Sequence, residues 1–188
     1  MKQRCAWVPD NDTLYIQYHD EEWGVPVYDD QHLFEFLILE SFQAGLSWRT
    51  VLHKRENFRR AFDNFNPHNV AAYDEKKVRQ LMQNSGIIRN QQKIRAALNN
   101  ARAFLEVSEQ FGSFSAYMWN FVDGKPIKNN WQSLQEVPAT TPLSDKLSKD
   151  LKQRGFKFVG STVCYAHMQA TGMVNDHTTD CFRYQQII

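Results

Sequence analysis

The sequence lacks the features of several large protein classes. It has no apolar run long enough to cross a membrane, and Met1 is followed by polar residues instead of the apolar core of a secretory signal. Three cysteines are too few for the disulfide framework of a small secreted protein. No internal repeat is visible, and no segment keeps the alternation of a half-buried strand. We therefore expect a soluble, cytoplasmic, all-α protein.

The net charge of +1 conceals an asymmetry along the chain. Residues 1–40 carry nine acidic and two basic side chains, a balance of −7, whereas residues 41–188 carry twelve acidic and twenty basic ones, a balance of +8. Such a separation is compatible with one surface that binds a polyanion, and equally with an ordinary solvated surface. Charge alone does not decide between them.

Apolar periodicity and helix-capping residues predict a single all-α domain over residues 1–188. Residues 1–28 are predicted to be irregular, and residues 123–140 to form a connector. With their caps, the predicted helices span about 30–44, 48–62, 66–72, 74–86, 90–110, 113–122, 141–154 and 161–172.

The segment Leu33–Trp48, LFEFLILESFQAGLSW, begins as a helix that is apolar on nearly every side, which predicts burial. Glu40 lies on one of its apolar faces, where an unpaired carboxylate costs several kcal/mol on an order-of-magnitude scale. Small residues then break the helix, and Ser47 is a suitable N-cap for a helix that starts at Trp48. The pattern indicates either a pocket that contains an acid or a carboxylate bound by backbone N–H groups of a neighbouring turn.

Cysteine and histidine pairs lie near both ends of the chain. Cys5 and His19 are near the start, and His177 precedes Cys181 by four residues, a spacing that predicts one face of a helical turn. Two cysteines and two histidines form a complete tetrahedral zinc set, although the gap from Cys5 to His19 is unlike a compact finger. Cys164 lies in an apolar helix and is predicted to be a small buried hydrophobe.

Two predicted helices meet at Ser85–Asn90, with Gly86 at the bend. The turn and the start of the next helix would present N–H groups to a phosphate, which makes this segment a candidate helix–hairpin–helix motif. An ordinary helical hairpin remains the alternative. Basic side chains surround the turn: Lys76, Lys77, Arg79, Arg89, Lys93 and Arg95.

Several long blocks of the sequence resemble the bacterial 3-methyladenine DNA glycosylase I family. They are RCAW, LYIQYHDEEWGVP, LESFQAGLSW, KRENFRRAF, GIIRNQQKI and RGFKFVGSTVCYAHMQATGMVNDH, followed by the spaced Cys181. The resemblance runs nearly end to end and is weakest over residues 123–140 and the last seven residues.

This resemblance implies a helix–hairpin–helix glycosylase bundle of two lobes, one formed by the terminal segments with a zinc site and the other by the central helices with the hairpin. It implies that Glu40 is the acidic pocket residue and the catalytic candidate. The implied base-binding aromatic residues are Trp7, Tyr15, Tyr18 and Trp48. The implied ligands of one structural zinc ion are Cys5, His19, His177 and Cys181. The implied DNA-binding residues are Gln43, Gly45, Leu46, Gly86, Ile87, Arg89 and Lys93.

The expected activity is hydrolysis of the N-glycosidic bond of 3-methyladenine in alkylated double-stranded DNA, after the base has flipped into the pocket. Free 3-methyladenine would be the product, and we expect a monomer. Glu40 would recognise the base, stabilise the reacting sugar or orient water, and the sequence does not separate these roles. One alternative is a non-catalytic helix–hairpin–helix reader of damaged DNA. Another is a zinc hydrolase with Glu40 as its base, but the His-x-Glu and Cys-x-x-Cys pattern of nucleobase deaminases is absent.

Overall fold

The regular secondary structure of the chain is almost entirely helical in the computed structural model, which describes residues 2–187. The ends of the predicted domain, Met1 and Ile188, lie outside the described residues. The α-helices α1 to α10 are Thr13–Gln17, Asp30–Gln43, Trp48–Leu52, Arg55–Ala61, Pro67–Ala71, Glu75–Gln83, Gln91–Phe111, Phe114–Trp119, Pro142–Gln153 and Ser161–Ala170. Within the described range, no helix is both long and apolar enough to span a membrane.

Helix α2 passes through the centre of the fold. Every residue from Leu33 to Phe42 is buried, as expected for a helix that is apolar all round. Helices α3, α7, α8 and α10 all contact it. The carboxylate of Asp30, in the first turn of α2, accepts hydrogen bonds from the N–H groups of Phe114 and Ser115, and so caps α8. The pocket acid predicted at Glu40 therefore stands on the most enclosed element of the protein.

Predicted helix starts follow local capping contacts. The side chains of Asp29, Asp74 and Asn90 each accept a hydrogen bond from an N–H group three residues further on. The same holds for Ser47 before α3 and Ser113 before α8. These contacts involve only near neighbours in sequence, so the predicted starts agree with the structure.

The irregular conformation predicted for residues 1–28 is wrong in part. Asp12 caps α1, which continues directly into a turn of π-helix at Tyr18–Glu22. Helices this short are marginal in isolation. A distant contact holds the turn, because the guanidinium of Arg55 donates two hydrogen bonds of 2.7 Å to the carboxylate of Glu22.

The single helix predicted over residues 48–62 is broken into α3 and α4. The break falls at His53 and Lys54, whose side chains bind other parts of the chain. The imidazole of His53 lies 2.8 Å from the carboxylate of Asp12, and the ammonium of Lys54 donates to the carbonyl groups of Ser85 and Gly86. These are tertiary contacts that helical periodicity does not reveal.

The connector at residues 123–140 contains a small exception to the all-α prediction. Ile127–Lys128 (β1) pairs in parallel with Val174–Asn175 (β2). The pairing brings the connector against the chain segment just before His177. Gly172 precedes β2 with a φ of +70°, and a Cβ there would come within 2.4 Å of the Pro26 backbone nitrogen. Glycine thus allows the terminal segments to approach closely.

Part of the acidic charge of residues 1–40 is paired within the fold, with Arg4 and with arginine residues of α3 and α4. Glu35 accepts hydrogen bonds from Arg55 and Arg59, and Asp20 forms a two-point contact with Arg4. The charge asymmetry seen in the sequence therefore reflects in part the packing of the first segment on α4, not only a charged surface.

Candidate active site and metal cluster

A cavity of about 280 Å³ lies between α2, the N-terminal segment and α10. This volume is close to the lower end of ligand pockets, which run from about 300 to 1,000 Å³ for drug-sized molecules. The cavity brings together residues that are far apart in sequence. Its lining residues are Trp7, Tyr15, Tyr18, Trp23, Glu40, Gln43, Trp48, Leu134, Val137, Pro138, Ala166, Gln169, Asp176 and Thr178.

Aromatic rings form one continuous wall of this cavity. The Tyr18 and Trp48 rings lie 5.3 Å apart between centroids, and Trp7 packs edge-on against Tyr15 at 5.6 Å. Trp7 also packs against Trp23 at 4.9 Å. Such packing restricts each ring, so the wall offers preformed faces on which a flat, electron-poor ring can stack.

Glu40 supplies the acid of the cavity. It is only 4% exposed, and its Oε2 atom has no hydrogen-bond partner within residues 2–187. Burial raises the pKa of Glu40 to about 8, because the charged form loses its hydration. The alternative suggested by the sequence, a carboxylate satisfied by backbone N–H groups, does not describe this oxygen. The Nε1 atom of Trp48 is likewise buried without a partner.

The loop after α2 leads from the cavity to the surface. Gln43 lines the cavity, Gly45 adopts a φ of +80°, and Leu46 is 44% exposed. The N–H group of Leu46 donates to the carbonyl of Gln43 at 2.6 Å and closes the turn. An exposed apolar side chain thus stands on a tight turn three residues after Gln43, which lines the cavity.

Four buried metal-binding side chains converge near the aromatic wall. The ligand atoms of Cys5, His19, His177 and Cys181 all lie within 4.8 Å of one another. The Sγ of Cys181 is 3.5 Å from Nε2 of His19 and 3.4 Å from Nδ1 of His177. Around a tetrahedral ion with ordinary Zn–S and Zn–N bonds, sulfur and nitrogen ligands are about 3.5 Å apart. The donor set therefore fits one four-coordinate metal ion.

The outer nitrogen atoms of both histidines have partners that hold the rings in place. Nδ1 of His19 lies 2.8 Å from the carboxylate of Asp20, and Nε2 of His177 lies 3.0 Å from the carbonyl oxygen of Trp23. Metal-binding histidines usually have such a second partner, which selects the nitrogen that faces the metal.

The segment between α6 and α7 forms the turn of a helical hairpin. Within it, the N–H of Gly86 donates to the side chain of Asn84, and the Gly86 carbonyl accepts from Asn57. Among the described residues, the N–H groups of Ile88 and Arg89 donate to no other group. Arg89 is exposed, as are Lys76 and Arg79. Two free N–H groups next to the exposed Arg89 cation are suited to a phosphate.

Comparison with known proteins identifies the family. The model of the methyladenine glycosylase family matches residues 7–184. The chain belongs to this family. The DNA-3-methyladenine glycosylase 1 of Escherichia coli K12 is 52% identical over 182 residues, which are 97% of each chain. A DNA-3-methyladenine glycosylase of Haemophilus influenzae is 49% identical over 96% of this chain and 97% of its own.

A solved structure supports the assignment of this chain to the methyladenine glycosylase family. A Staphylococcus aureus 3-methyladenine DNA glycosylase I, studied for the structural basis of 3-methyladenine recognition, has a TM-score of 0.92 at 37% identity. The match covers 95% of both chains.

Some residues predicted for the glycosylase's sites have different surroundings from those expected. His177 and Cys181 lie in non-helical backbone after β2, not on a helical face, although their ligand atoms meet as the spacing suggested. Lys93 was predicted to bind DNA, but its ammonium group is buried and donates to the carbonyl groups of Phe42 and Ala44. Ile87 is also buried, so its side chain supports the hairpin from beneath.

The prediction of Arg95 as part of the basic surroundings of the hairpin also needs correction. The guanidinium of Arg95 forms a two-point ion pair with the carboxylate of Glu75, at 2.7 Å for the Nη2–Oε2 contact. Its charge is therefore largely balanced. The cations placed at the turn are Arg89, which belongs to it and is exposed, and Lys54, which donates to the carbonyl groups of Ser85 and Gly86.

Sequence reasoning missed the second wall of the cavity, which is organised by Asp176. One carboxylate oxygen of Asp176 accepts hydrogen bonds from Asn129 and Trp131, at 2.7 and 2.8 Å. The other accepts from Tyr165 and Gln169, at 2.5 and 2.8 Å. Four donors match the acceptors of an ionised carboxylate. Asp176 thus joins the connector to α10 and brings Leu134–Pro138 to the cavity, although this connector has the weakest family resemblance.

Proposed function

We propose that the chain hydrolyses the N-glycosidic bond of 3-methyladenine in alkylated double-stranded DNA, with the base flipped into the aromatic cavity. One observation carries this proposal: a ring-lined cavity of suitable size contains a buried carboxyl group with an unpartnered oxygen. Flipping costs a few kcal/mol, and less where the lesion has weakened the base pair.

Recognition rests on charge and shape. Methylation at N3 makes adenine cationic while it is attached to the sugar. Stacking between Trp48, Tyr18 and Trp7 then contributes about 1–3 kcal/mol, and the cation–π part of this favours a charged base over a neutral one. A cation in the cavity also lowers the pKa of Glu40 and favours its carboxylate form. That carboxylate accepts hydrogen bonds from the adenine edge.

The chemical step needs little help from an acid, because the cationic base is already a good leaving group. The cavity holds the base while the sugar reacts with water, and its enclosure excludes larger methylated purines. We assign Glu40 to recognition of the base and to balancing its charge. A further effect of this carboxylate on the developing positive charge of the sugar follows from Coulomb attraction in a site of low polarity.

DNA would be held at two places. The turn Gly86–Arg89 offers its free N–H groups and the Arg89 cation to a phosphate, with the α7 N-terminus behind them. The loop from Gln43 to Leu46 lies at the entrance to the cavity. Leu46, exposed and apolar, would enter the base stack and occupy the place of the flipped nucleotide.

The metal cluster would serve the fold. Zinc, held by Cys5, His19, His177 and Cys181, would join segments more than 170 residues apart and keep Trp7 and Trp23 in place. Four protein ligands leave no open position for water. None of these four described residues lines the cavity, so a deaminase-like zinc hydrolase has no support in this geometry.

Release of free base from alkylated duplex DNA tests the activity, with 3-methyladenine and 7-methylguanine quantified separately. We expect selective release of 3-methyladenine. Glu40→Gln should reduce this release, and Glu106→Gln, which changes an exposed acid on α7, should not. If folded, metal-loaded protein binds the free base but releases none from DNA, the chain is a non-catalytic reader of damage.

A further inference from the structure

Lys93 is a buried cation without an acidic partner among the described residues. It lies in the first turn of α7 and is only 8% exposed. Its Nζ atom donates to the carbonyl oxygen of Phe42 at 2.8 Å and to that of Ala44 at 2.5 Å. Burial lowers the pKa of Lys93, because its charged form is partly desolvated.

This position is unfavourable for a lysine on two counts. The N-terminal turn of a helix carries partial positive charge, and a buried ammonium loses its hydration. Its acceptors are carbonyl groups at the C-terminal end of α2, which lack partners within that helix. A methionine would fill similar space but would leave both carbonyl groups without the ammonium donor, so the lysine serves this contact and not the filling of space.

The contacts of Lys93 join the two parts of the proposed DNA-binding surface. Its backbone follows the hairpin turn directly, and its own N–H donates to the Asn90 side chain at 3.1 Å. Its ammonium binds the carbonyl groups on either side of Gln43, which lines the cavity and begins the loop to Leu46. One side chain therefore connects the start of the loop to the hairpin.

We propose that Lys93 is a positioning residue that fixes the Gln43–Leu46 loop relative to the hairpin, so that DNA bound by the hairpin meets Leu46 in the place required for base extraction. This inference rests on the proposed function of the loop. It replaces the earlier prediction of a lysine–phosphate contact with a link inside the protein.

The test compares a lesion that must be extracted with one that need not be. Single-turnover release of 3-methyladenine is measured from duplexes in which the lesion is paired or lies unpaired in a bulge. Lys93→Met should lower release from the paired site about 10- to 100-fold, as expected for a displacement near 1 Å. Release from the bulge should change less than threefold. Affinities for free 3-methyladenine and for undamaged duplex should stay as in the unmodified chain.

Three further variants make the result specific. Lys93→Arg keeps the charge and two donors, and should restore part of the release from the paired site. Lys149→Met removes an exposed lysine from α9 and should leave both substrates unaffected. If Lys93→Met does not fold, the test rests on Lys93→Arg. We then expect Lys93→Arg to release less 3-methyladenine than the unmodified chain from the paired site and a similar amount from the bulge. Leu46→Ala tests the loop itself by the same comparison of release from the paired lesion with release from the bulge.

The outcomes separate the two proposals. Selective loss in Lys93→Met and in Leu46→Ala supports both. Selective loss in Leu46→Ala alone overturns the role of Lys93 and keeps that of the loop. Selective loss in Lys93→Met alone supports the positioning role of Lys93 and shows that a loop residue other than Leu46 enters the base stack. Equal losses at both sites in Lys93→Met, with weaker binding of the free base, would mean that Lys93 only stabilises the fold.

Discussion

The Oε2 atom of Glu40 and the Nε1 atom of Trp48 are buried in the same cavity, and neither has a partner within residues 2–187. A buried polar atom without a hydrogen bond costs about 1–3 kcal/mol. One carboxyl oxygen and one indole N–H of lining residues are therefore left without a partner. The edge of a purine base offers both donors and acceptors, so a base that reached these two atoms would relieve both costs.

The activity should depend on the ionisation of Glu40. With a pKa of about 8, the Glu40 carboxyl group is protonated in most of the free enzyme at pH 7, whereas binding of a cationic base favours the carboxylate. We expect kcat/KM for 3-methyladenine release to rise with pH and level off above about 8. The corresponding rise of kcat should lie at lower pH than that of kcat/KM, because the bound cation favours the carboxylate form of Glu40.

The variant Glu40→Gln tests whether the ionisation of Glu40 causes the rise of kcat/KM with pH. The variant should lose about 10- to 100-fold in kcat/KM, in line with a hydrogen bond to a charged group, and should show no rise near pH 8. An unchanged rise of kcat/KM with pH in Glu40→Gln would assign the ionisation to another residue.

Trp48→Ala should weaken selection for the cationic base. Loss of the cation–π part of one stacking face is worth about 0.5–2 kcal/mol, or roughly 2- to 30-fold in release of 3-methyladenine relative to a neutral base. The measurement is competition between the two bases in one duplex. Tyr28→Ala removes an exposed ring outside the cavity and is the matched control. Unchanged discrimination in Trp48→Ala would remove Trp48 from the base-binding wall.

Removal of the metal should unfold the terminal segments. We expect about one zinc per chain, and Cys181→Ser should lose it together with thermal stability and helical circular dichroism. Cys164→Ala changes a buried thiol outside the cluster and should retain zinc. A metal-free protein that stays fully folded but inactive would favour a catalytic metal instead.

The Glu22–Arg55 contact should stabilise the protein in a pH-dependent way. Burial acts to raise the pKa of Glu22, but hydrogen bonds from His32 and Arg55 outweigh it and lower the pKa to about 2. Because the folded-state pKa lies below the unfolded one, the stabilisation is present above about pH 4.5 and lost as the pH falls towards 2. Glu22→Gln should lower the free energy of unfolding by about 2–3 kcal/mol at pH 7.

Denaturant titrations at pH 7 and at pH 3 measure this difference. Glu21→Gln, at the exposed neighbouring position, should change the free energy of unfolding by less than about 0.5 kcal/mol at either pH. A deficit in Glu22→Gln that is the same at both pH values would mean that shape, and not charge, accounts for the loss.

Much of the helical structure follows from the sequence alone. Side-chain caps such as Asp74 and Asn90 bind N–H groups three residues away, and Gly112 ends α7 with a φ of +84°. The apolar surroundings of α2 likewise indicate burial without knowledge of its neighbours. These features depend on contacts within one or two helical turns, and the local amino-acid sequence already specifies those contacts.

The tertiary structure alone decided which distant groups meet. Arg55 holds the π-turn that carries Tyr18 and His19, and Asp176 brings the connector to the cavity. Family resemblance indicated the four candidate metal ligands, but composition and spacing left them open, since Cys5 and Cys181 are brought together only by the closed fold. For Lys93, the sequence indicated a free surface cation, and burial against the end of α2 gave it a different partner. Long-range packing and desolvation set these outcomes, and neither is a local property of the chain.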